Sequence, residues 1–151
     1  MTTNTSAPNT TNTLTEQINE NYEWIQYNEH LRLIHSIKDD MYQMQSIINA
    51  CNSRKEARHW FRNESTKEFL EAFDNELASG RKIPDDETEG GRKIPPSKSW
   101  EKRMELSPGL QGIYVHKLLV NHIAMWASPR YSIYIMMLLD KYYENERKKN
   151  N

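Results

Sequence analysis

The sequence has one cysteine, no long apolar run and almost no net charge, and each absence excludes a class of protein. Cys51 is the single cysteine among 151 residues, which rules out an internal disulfide framework and a cysteine-rich zinc site. No run approaches the roughly 18 apolar residues needed to span a membrane. The length suits one hydrophobic core with tails. We therefore expect a single soluble, intracellular domain that does not associate with membranes.

Aromatic residues and periodicity are missing from the N-terminal stretch. Residues 1–13 are rich in threonine and asparagine, and they cannot bury enough apolar surface to offset the entropy lost on ordering. The stretch has neither the basic start nor the apolar centre of a signal peptide. We predict a disordered tail over residues 1–21, a domain over residues 22–146 and a charged tail over residues 147–151.

Net charge is also nearly absent, but the charges are unevenly distributed. A net charge of −1 argues against a generally basic nucleic-acid binder. Residues 54–67, however, hold five bases against two acids, a balance of +3, and residues 68–78 hold a balance of −4. A local positive patch can bind phosphate on a neutral protein, since salt confines fields to about 8–10 Å. The candidate cations are Arg54, Lys55, Arg58, Arg62 and Lys67.

Periodicity predicts the elements before this basic segment. Residues 31–37 and 41–44 alternate in a strand-like way around a turn at residues 38–40, which predicts a β-hairpin. Residues 45–52 predict a short helix. Cys51 ends its apolar run, where a free cysteine usually acts as a small core residue rather than a nucleophile.

The basic segment itself predicts two helices joined by a short turn. Arg54, Arg58 and Arg62 are spaced four residues apart, which places three guanidinium groups on one helix face. Ser65 and Glu68 match a capping box at the start of a second helix. An apolar stripe then leads to a helix end near residues 78–80. The alternative for the arginine row is a solvated helix face with no ligand.

A charged insert is expected at about residues 80–111. It repeats the pentapeptide Gly-Arg-Lys-Ile-Pro at residues 80–84 and 91–95, with an acidic block between the copies. We weigh two interpretations, a flexible solvated loop and a basic arm that reaches a nucleic-acid backbone or minor groove. In the second, possible contact residues are Arg81, Lys82, Arg92 and Lys93. Trp100 is expected to pin the end of the insert to the core.

The C-terminal part predicts a strand and two helices. Residues 113–115 are aromatic and β-branched, as strands prefer. One face of the next helix carries Leu119, His122, Ile123 and Trp126. Ser128 and Pro129 then suit the N-cap and first position of a second helix. That helix is apolar on several sides, so we expect it to be central, with a core stripe of Tyr131, Tyr134, Ile135, Leu138 and Tyr142.

Candidate catalytic and metal-binding residues are scarce. His116 and His122 point in different directions on a helix, and no cysteine or acid stands at ligand spacing. We expect His116 at a strand-to-helix junction and His122 packed with a satisfied ring nitrogen. No nucleophile–base pair, glycine-rich phosphate loop or paired carboxylate is found. We predict no catalytic residue, no metal, no cofactor and no small-molecule substrate.

Two blocks of the sequence resemble the KilA-N domain, a DNA-binding module of large DNA viruses and bacteriophages. Residues 54–70 resemble its central block, with basic residues, an aromatic-centred Trp-x-Arg and a Ser/Thr-Lys-Glu helix start. Residues 112–129 resemble its second block, which reads Gly-Ile-Tyr-Val-His and ends in Ala-Ser-Pro. The resemblance covers about residues 30–146. It implies a small, helix-rich α+β domain with short β-hairpins and a helix-turn-helix or winged-helix-like core, akin to the DNA-binding domain of fungal cell-cycle transcription regulators.

Function follows from the same resemblance. It implies a non-catalytic protein of viral type that binds double-stranded DNA through Arg54, Lys55, Arg58, Arg62 and Lys67, in the cytoplasm or nucleus of a host cell. The chain departs from the family pattern at Met44 and Ile47, where the family has Asn and Lys, and at Lys117, where it has Pro. The alternative is a protein-interaction module that kept the fold, lost DNA binding and contacts a host or viral protein through the acidic region at residues 68–89.

Overall fold

Helices and strands are grouped separately in the fold, which makes it an α+β domain as the sequence predicts. A computed structural model describes residues 14–80 and 98–149. Its strands are β1 (Thr15–Gln17), β2 (Tyr22–Gln26), β3 (Arg32–Ser36), β4 (Met41–Gln43), β5 (Trp100–Arg103) and β6 (Gly112–His116). Its α-helices are α1 (Met44–Ala50), α2 (Ala57–Arg62), α3 (Glu64–Ser79), α4 (Val120–Ala127) and α5 (Pro129–Lys149).

The six strands form one antiparallel sheet in the order β1-β2-β3-β4-β6-β5. The chain leaves the sheet after β4 to build α1, α2 and α3, and it returns through β5 at the far edge. β6 lies between β4 and β5, with Val115 opposite Tyr42 on one side and Trp100 on the other. The basic segment is therefore part of the excursion from β4 to β5, two strands that β6 separates in the sheet.

The main core lies between one face of the sheet and the helices. Strand side chains alternate between faces, so Leu33, Tyr42 and Val115 point to the helical side. The helices contribute buried residues of α1, α4 and α5, together with one tryptophan of α2. The helical contribution is Met44, Ile47, Ile48, Trp60, Val120, Ile123, Ala124, Tyr131 and Ile135.

A smaller apolar cluster covers the opposite face of the sheet. It contains Tyr22, Ile34, Met41, Leu110 and Tyr114, and the Tyr114 hydroxyl donates to the Leu110 carbonyl at 2.7 Å. The connection between β5 and β6, with a 3-10 turn at Pro108–Leu110, thus closes a second layer.

Two buried polar side chains, Arg103 and His35, link the strands of this sheet. The Arg103 guanidinium, 6% exposed, donates to Tyr22 and Ser36 and pairs with Asp39 and Glu101. On the other face, the ring nitrogens of His35 lie 2.7 Å from Glu23 Oε2 and 2.6 Å from Asp40 Oδ1. Both ring nitrogens of this buried imidazole thus lie against a carboxylate oxygen, one from β2 and one from the turn before β4.

The sequence predicts the central elements well and the edges of the sheet poorly. The hairpin of β3 and β4, helix α1 and the α3 end at Gly80, whose φ is 74°, match the predictions. Two boundaries differ. The tail expected through residue 21 overlaps β1, which pairs with β2. The insert expected at residues 80–111 includes β5 and the 3-10 turn, while residues 1–13 and 81–97 lie outside the described part.

The prediction of a central C-terminal helix was wrong. Tyr131 and Ile135 of α5 are buried, and Ser128 Oγ caps the helix by accepting from the Tyr131 amide at 3.1 Å. Beyond Ile135 no residue of α5 is buried. Leu138 and Tyr142, expected in the core stripe, are 46% and 51% exposed, because the helix extends past the sheet and α4.

Two local predictions around the basic segment also need correction. Helix α2 begins at Ala57, so Arg54 precedes it and only Arg58 and Arg62 share a helical face. Helix α3 begins at Glu64 after the N-cap Asn63. Ser65 is therefore inside the helix rather than its cap. The connection between the two helices is a single extended residue.

Candidate nucleic-acid interface

The basic segment is attached to the core by a cluster of aromatic rings. Trp60 of α2 is 0% exposed, and its indole Nε1 donates to His122 Nδ1 of α4 at 3.3 Å. Phe69 of α3 stacks on the same imidazole, with ring centroids 4.0 Å apart and an interplanar angle of 18°. Phe61 contacts Trp100 at 4.8 Å. Helices α2 and α3 are thus fixed to both α4 and the edge strand β5.

Both predicted structural histidines have the roles that the sequence suggests. His116 follows β6, and its Nδ1 accepts from the Leu118 amide at 3.0 Å in the turn that leads to α4. His122 accepts from Trp60. Burial lowers the pKa of both imidazoles, and Lys117 lowers that of His116 further. Low pKa values keep both rings neutral, which leaves a ring nitrogen able to accept.

All five predicted DNA-contact residues are exposed. Arg54 and Lys55 lie in the extended stretch before α2, Arg58 and Arg62 on the outer side of α2, and Lys67 in the first turn of α3. Because Trp60 points inward, the residues two positions away on either side point away from the core. The structure therefore places the five cations along one continuous stretch of surface backbone.

The five cations differ in how far they are already paired. Lys55 Nζ donates to the Trp126 carbonyl at 2.7 Å and lies 5.1 Å from the Trp126 ring centroid. Arg58 pairs with Glu56 at 2.6 Å and Lys67 with Glu64 at 3.4 Å, both exposed. Within the described residues, the side chains of Arg54 and Arg62 make no hydrogen bond or ion pair. Exposed pairs are worth about 0–1 kcal/mol, so phosphate can replace them.

Helix α3 continues the surface with the opposite charge. Its buried side carries Thr66, and half-buried apolar residues follow along the same side. Its outer side carries Glu64, Glu68 and Glu71, all exposed. A helix with this outer face would be repelled by a phosphate backbone. Any contact with DNA therefore falls on α2 and the stretch before it, with α3 contributing only Lys67 at its first turn.

Other candidate sites offer no catalytic constellation in the described part of the chain. An open cleft of about 490 Å³ lies between α1, β2 to β4 and residues 108–111, and its one ionisable lining residue is Arg32, which pairs with Glu16. Cys51 is half-buried, and burial raises its pKa, so the thiol is kept protonated. No group of three metal-ligating side chains occurs among residues 14–80 and 98–149.

Among the helices that the structure describes, none combines the length and the apolar character that a membrane span needs. The possible loop contacts Arg81, Lys82, Arg92 and Lys93 lie outside the described residues.

The sequence did not reveal the contact that positions the site. Trp60 and His122 are 62 residues apart, and each alone looks like an ordinary core residue. The signal available was a tryptophan flanked by basic residues on a short helix, which predicts an inward anchor with outward cations. The stacking of Phe69 on His122 has no comparable sequence signal.

The fold and the surface define a small α+β domain in which a cluster of aromatic rings holds a helix with exposed basic residues. Comparison with known proteins is consistent with this description. The family model of the KilA-N domain matches residues 25–145. Over 133 residues the chain is 26% identical to the putative KilA-N domain-containing protein R878 of Acanthamoeba polyphaga mimivirus. No solved structure gives a significant match.

The chain therefore belongs to the KilA-N domain family. The match to the mimivirus protein covers 87% of this chain and 33% of that relative, so the chain spans about a third of its length. The family match includes β3 to α4, most of α5 and all five exposed cations.

Proposed function

We propose that this domain binds duplex DNA without catalysis, through phosphate contacts made by Arg54, Lys55, Arg58, Arg62 and Lys67. The observation that carries the proposal is the pairing of an inward anchor with outward cations on α2. Trp60 is fully buried and bonded to His122, while Arg58 and Arg62 are exposed on the same six-residue helix. Membership in a family associated with DNA binding supports it.

The geometry favours phosphate recognition over base reading. A short helix followed by an acidic one offers few side chains to a groove, and phosphate contacts need only positive charge held at the surface. Arg54 and Arg62, without partners in the described residues, are the first candidates, and Arg58 can exchange Glu56 for phosphate. We infer weak sequence preference for this part of the surface.

Salt dependence of binding tests the proposal. Each neutralised phosphate contributes about 0.9 to the slope of log K against log salt concentration. Arg58→Ala with Arg62→Ala should reduce the magnitude of that slope by about 1 to 2, measured by fluorescence anisotropy on duplexes of random sequence. Lys38→Ala with Lys102→Ala is the matched control, because it removes two exposed cations outside the segment.

The pair Arg58→Lys with Arg62→Lys separates phosphate contact from base reading. Lysine keeps the charge but loses the two-pronged donor geometry that arginine offers to guanine. We expect the slope to be kept and affinity for all sequences to change little. An unchanged slope in the alanine pair, or an equal loss in the control pair, would contradict the assignment of the surface.

A second function is favoured by the acidic outer side of α3. Glu64, Glu68 and Glu71 are exposed together, and such a face suits a basic protein partner better than DNA. In that case the domain is an interaction module that contacts a host or viral protein. A DNA column at low salt distinguishes the two functions, because an interaction module that has lost DNA binding would not be retained.

A further inference from the structure

The outer half of α5 is an amphipathic helix, and none of the residues that the structure describes buries its apolar side. Ile135 is the last buried residue of α5. The helix continues to Lys149, about 20 Å further at 1.5 Å per residue. Large apolar residues in this half include Met136, Leu139 and Tyr143, at 59%, 47% and 54% exposure. Monomeric proteins rarely expose such a continuous apolar surface.

Helical geometry places these side chains on one side. At 3.6 residues per turn, the stripe that begins at the buried Ile135 continues along the helix over about 160° of its circumference. We call this the α5 stripe: Met136, Leu138, Leu139, Tyr142 and Tyr143. Met137 lies on the opposite side of the helix. The core-facing side of α5 therefore extends beyond the core.

The sequences of residues 1–13 and 81–97 are poorly suited to cover the α5 stripe. Residues 1–13 contain no aromatic or branched apolar residue, and residues 81–97 contain only the two isoleucines of the repeat. A second copy of the chain does carry a matching apolar surface. In an isologous pair the same stripe serves both partners.

We propose that two copies of this chain associate through the outer halves of α5, antiparallel, with the two-fold axis near Tyr143 and Glu144. The domain body lies on the same side of α5 as the stripe, since Tyr131 and Ile135 are buried against it. A parallel pair would force both bodies into the same space between the helices. An antiparallel pair places them at opposite ends.

The charges of residues 140–147 match this arrangement. With the axis between Tyr143 and Glu144, Asp140 faces Arg147 of the second copy. Asp140 and Arg147 are two turns apart on one side of the helix. Neither Asp140 nor Arg147 has an ion pair within the described residues. Complementary charges of this kind fix register and orientation.

Sedimentation equilibrium of the chain at concentrations of about 1 to 100 µM tests the proposal. Four helical turns per partner give an interface below the usual 1,200 Å², so we expect a weak, micromolar dimer. Leu139→Glu should weaken association at least about ten-fold, because it places a charge in the stripe. Met137→Glu is the matched control, since Met137 is 67% exposed on the opposite side, and it should leave association unchanged.

A charge exchange tests the orientation. Arg147→Asp should weaken association by placing it against Asp140 of the second copy, and adding Asp140→Arg should restore it. A monomeric chain at 100 µM would overturn the proposal and leave the stripe to a different partner. Equal effects of Leu139→Glu and Met137→Glu would overturn the interface, and failure of the exchange to restore association would overturn the antiparallel register. Circular dichroism checks that each variant is folded.

Discussion

Two regions resemble the same family but have different physical roles. They are the basic segment at residues 54–67 and the C-terminal unit at residues 112–131. In the C-terminal unit, Tyr114, Val115, Leu119, Val120 and Ile123 are 0% exposed, so its residues are determined by packing. In the basic segment one residue, Trp60, is equally buried, and the five cations are exposed. The C-terminal unit stabilises the fold, and the basic segment places charged side chains on its surface.

The comparison shows why a family can be recognised more clearly than its ligand. A buried position constrains the volume and shape of its side chain, because interiors are close-packed and a change of even one methylene affects the packing. An exposed cation needs only to remain charged and near its position. The two units meet at the Trp60–His122 hydrogen bond, so variants at this junction test whether they are separable.

Trp60→Ala should have the largest effect, because it removes a fully buried ring and the hydrogen bond to His122. We expect a loss of about 3–5 kcal/mol in the free energy of unfolding, measured by urea denaturation. Detachment of α2 should also lower DNA affinity. Trp60→Phe keeps most of the volume and should cost clearly less. Equal, small losses for both would mean that α2 is held by other contacts.

Acid should weaken the junction by a smaller amount. The pKa values of His116 and His122 are lowered from 6.5 by burial, so below pH 6.5 the unfolded chain binds more protons than the folded one. Stability therefore falls as pH decreases from 6.5 towards the lowered pKa of each ring, by at most about 1.4 kcal/mol per pH unit for each histidine. Well above pH 6.5 both rings are neutral in both states, and this dependence ends.

His122→Asn isolates one of these contributions. An asparagine amide oxygen can accept from Trp60 near the position of Nδ1, but it does not titrate. The difference in unfolding free energy between pH 7 and pH 5 should be smaller in His122→Asn than in the wild type. Restricting the measurement to the range from pH 7 to pH 5 limits the contribution that titrating carboxylates make to this difference. One of these carboxylates is Glu101, whose pKa is lowered through Arg103 and Lys98. An identical difference in both proteins would show that His122 is not kept neutral in the fold.

Local patterns predicted the elements that are stabilised locally. The hairpin of β3 and β4 has a turn and strands of favourable composition, and Ser128 with Pro129 starts α5 as expected. Strand β5 lay in a charged stretch with no apolar alternation, and its order comes from pairing with β6 and from burial of Arg103. Strand β1 is exposed throughout, so its sequence carries no burial signal.

Long-range packing explains the remaining differences. The apolar side of α5 predicted burial, but a sequence cannot show where the supporting sheet ends, and the helix extends beyond it. For the site, the charge of five residues is visible in the sequence, but the contacts that hold their helix in place are not. The contact of Trp60 with His122 depends on the return of the chain through β6, which no local pattern encodes.

The smallest effect on stability is expected at the basic surface itself. Arg58→Ala with Arg62→Ala should change the unfolding free energy by less than about 0.5 kcal/mol, because both side chains are exposed and the Arg58–Glu56 pair is at the surface. Urea denaturation beside the DNA titration makes the comparison direct. If the variant keeps its stability and loses part of its salt-dependent binding, then the exposed arginines contribute to DNA binding. The stability then depends on the Trp60–His122 junction below them. A large loss of stability would instead make these arginines part of the structure, and their effect on DNA would no longer identify a contact.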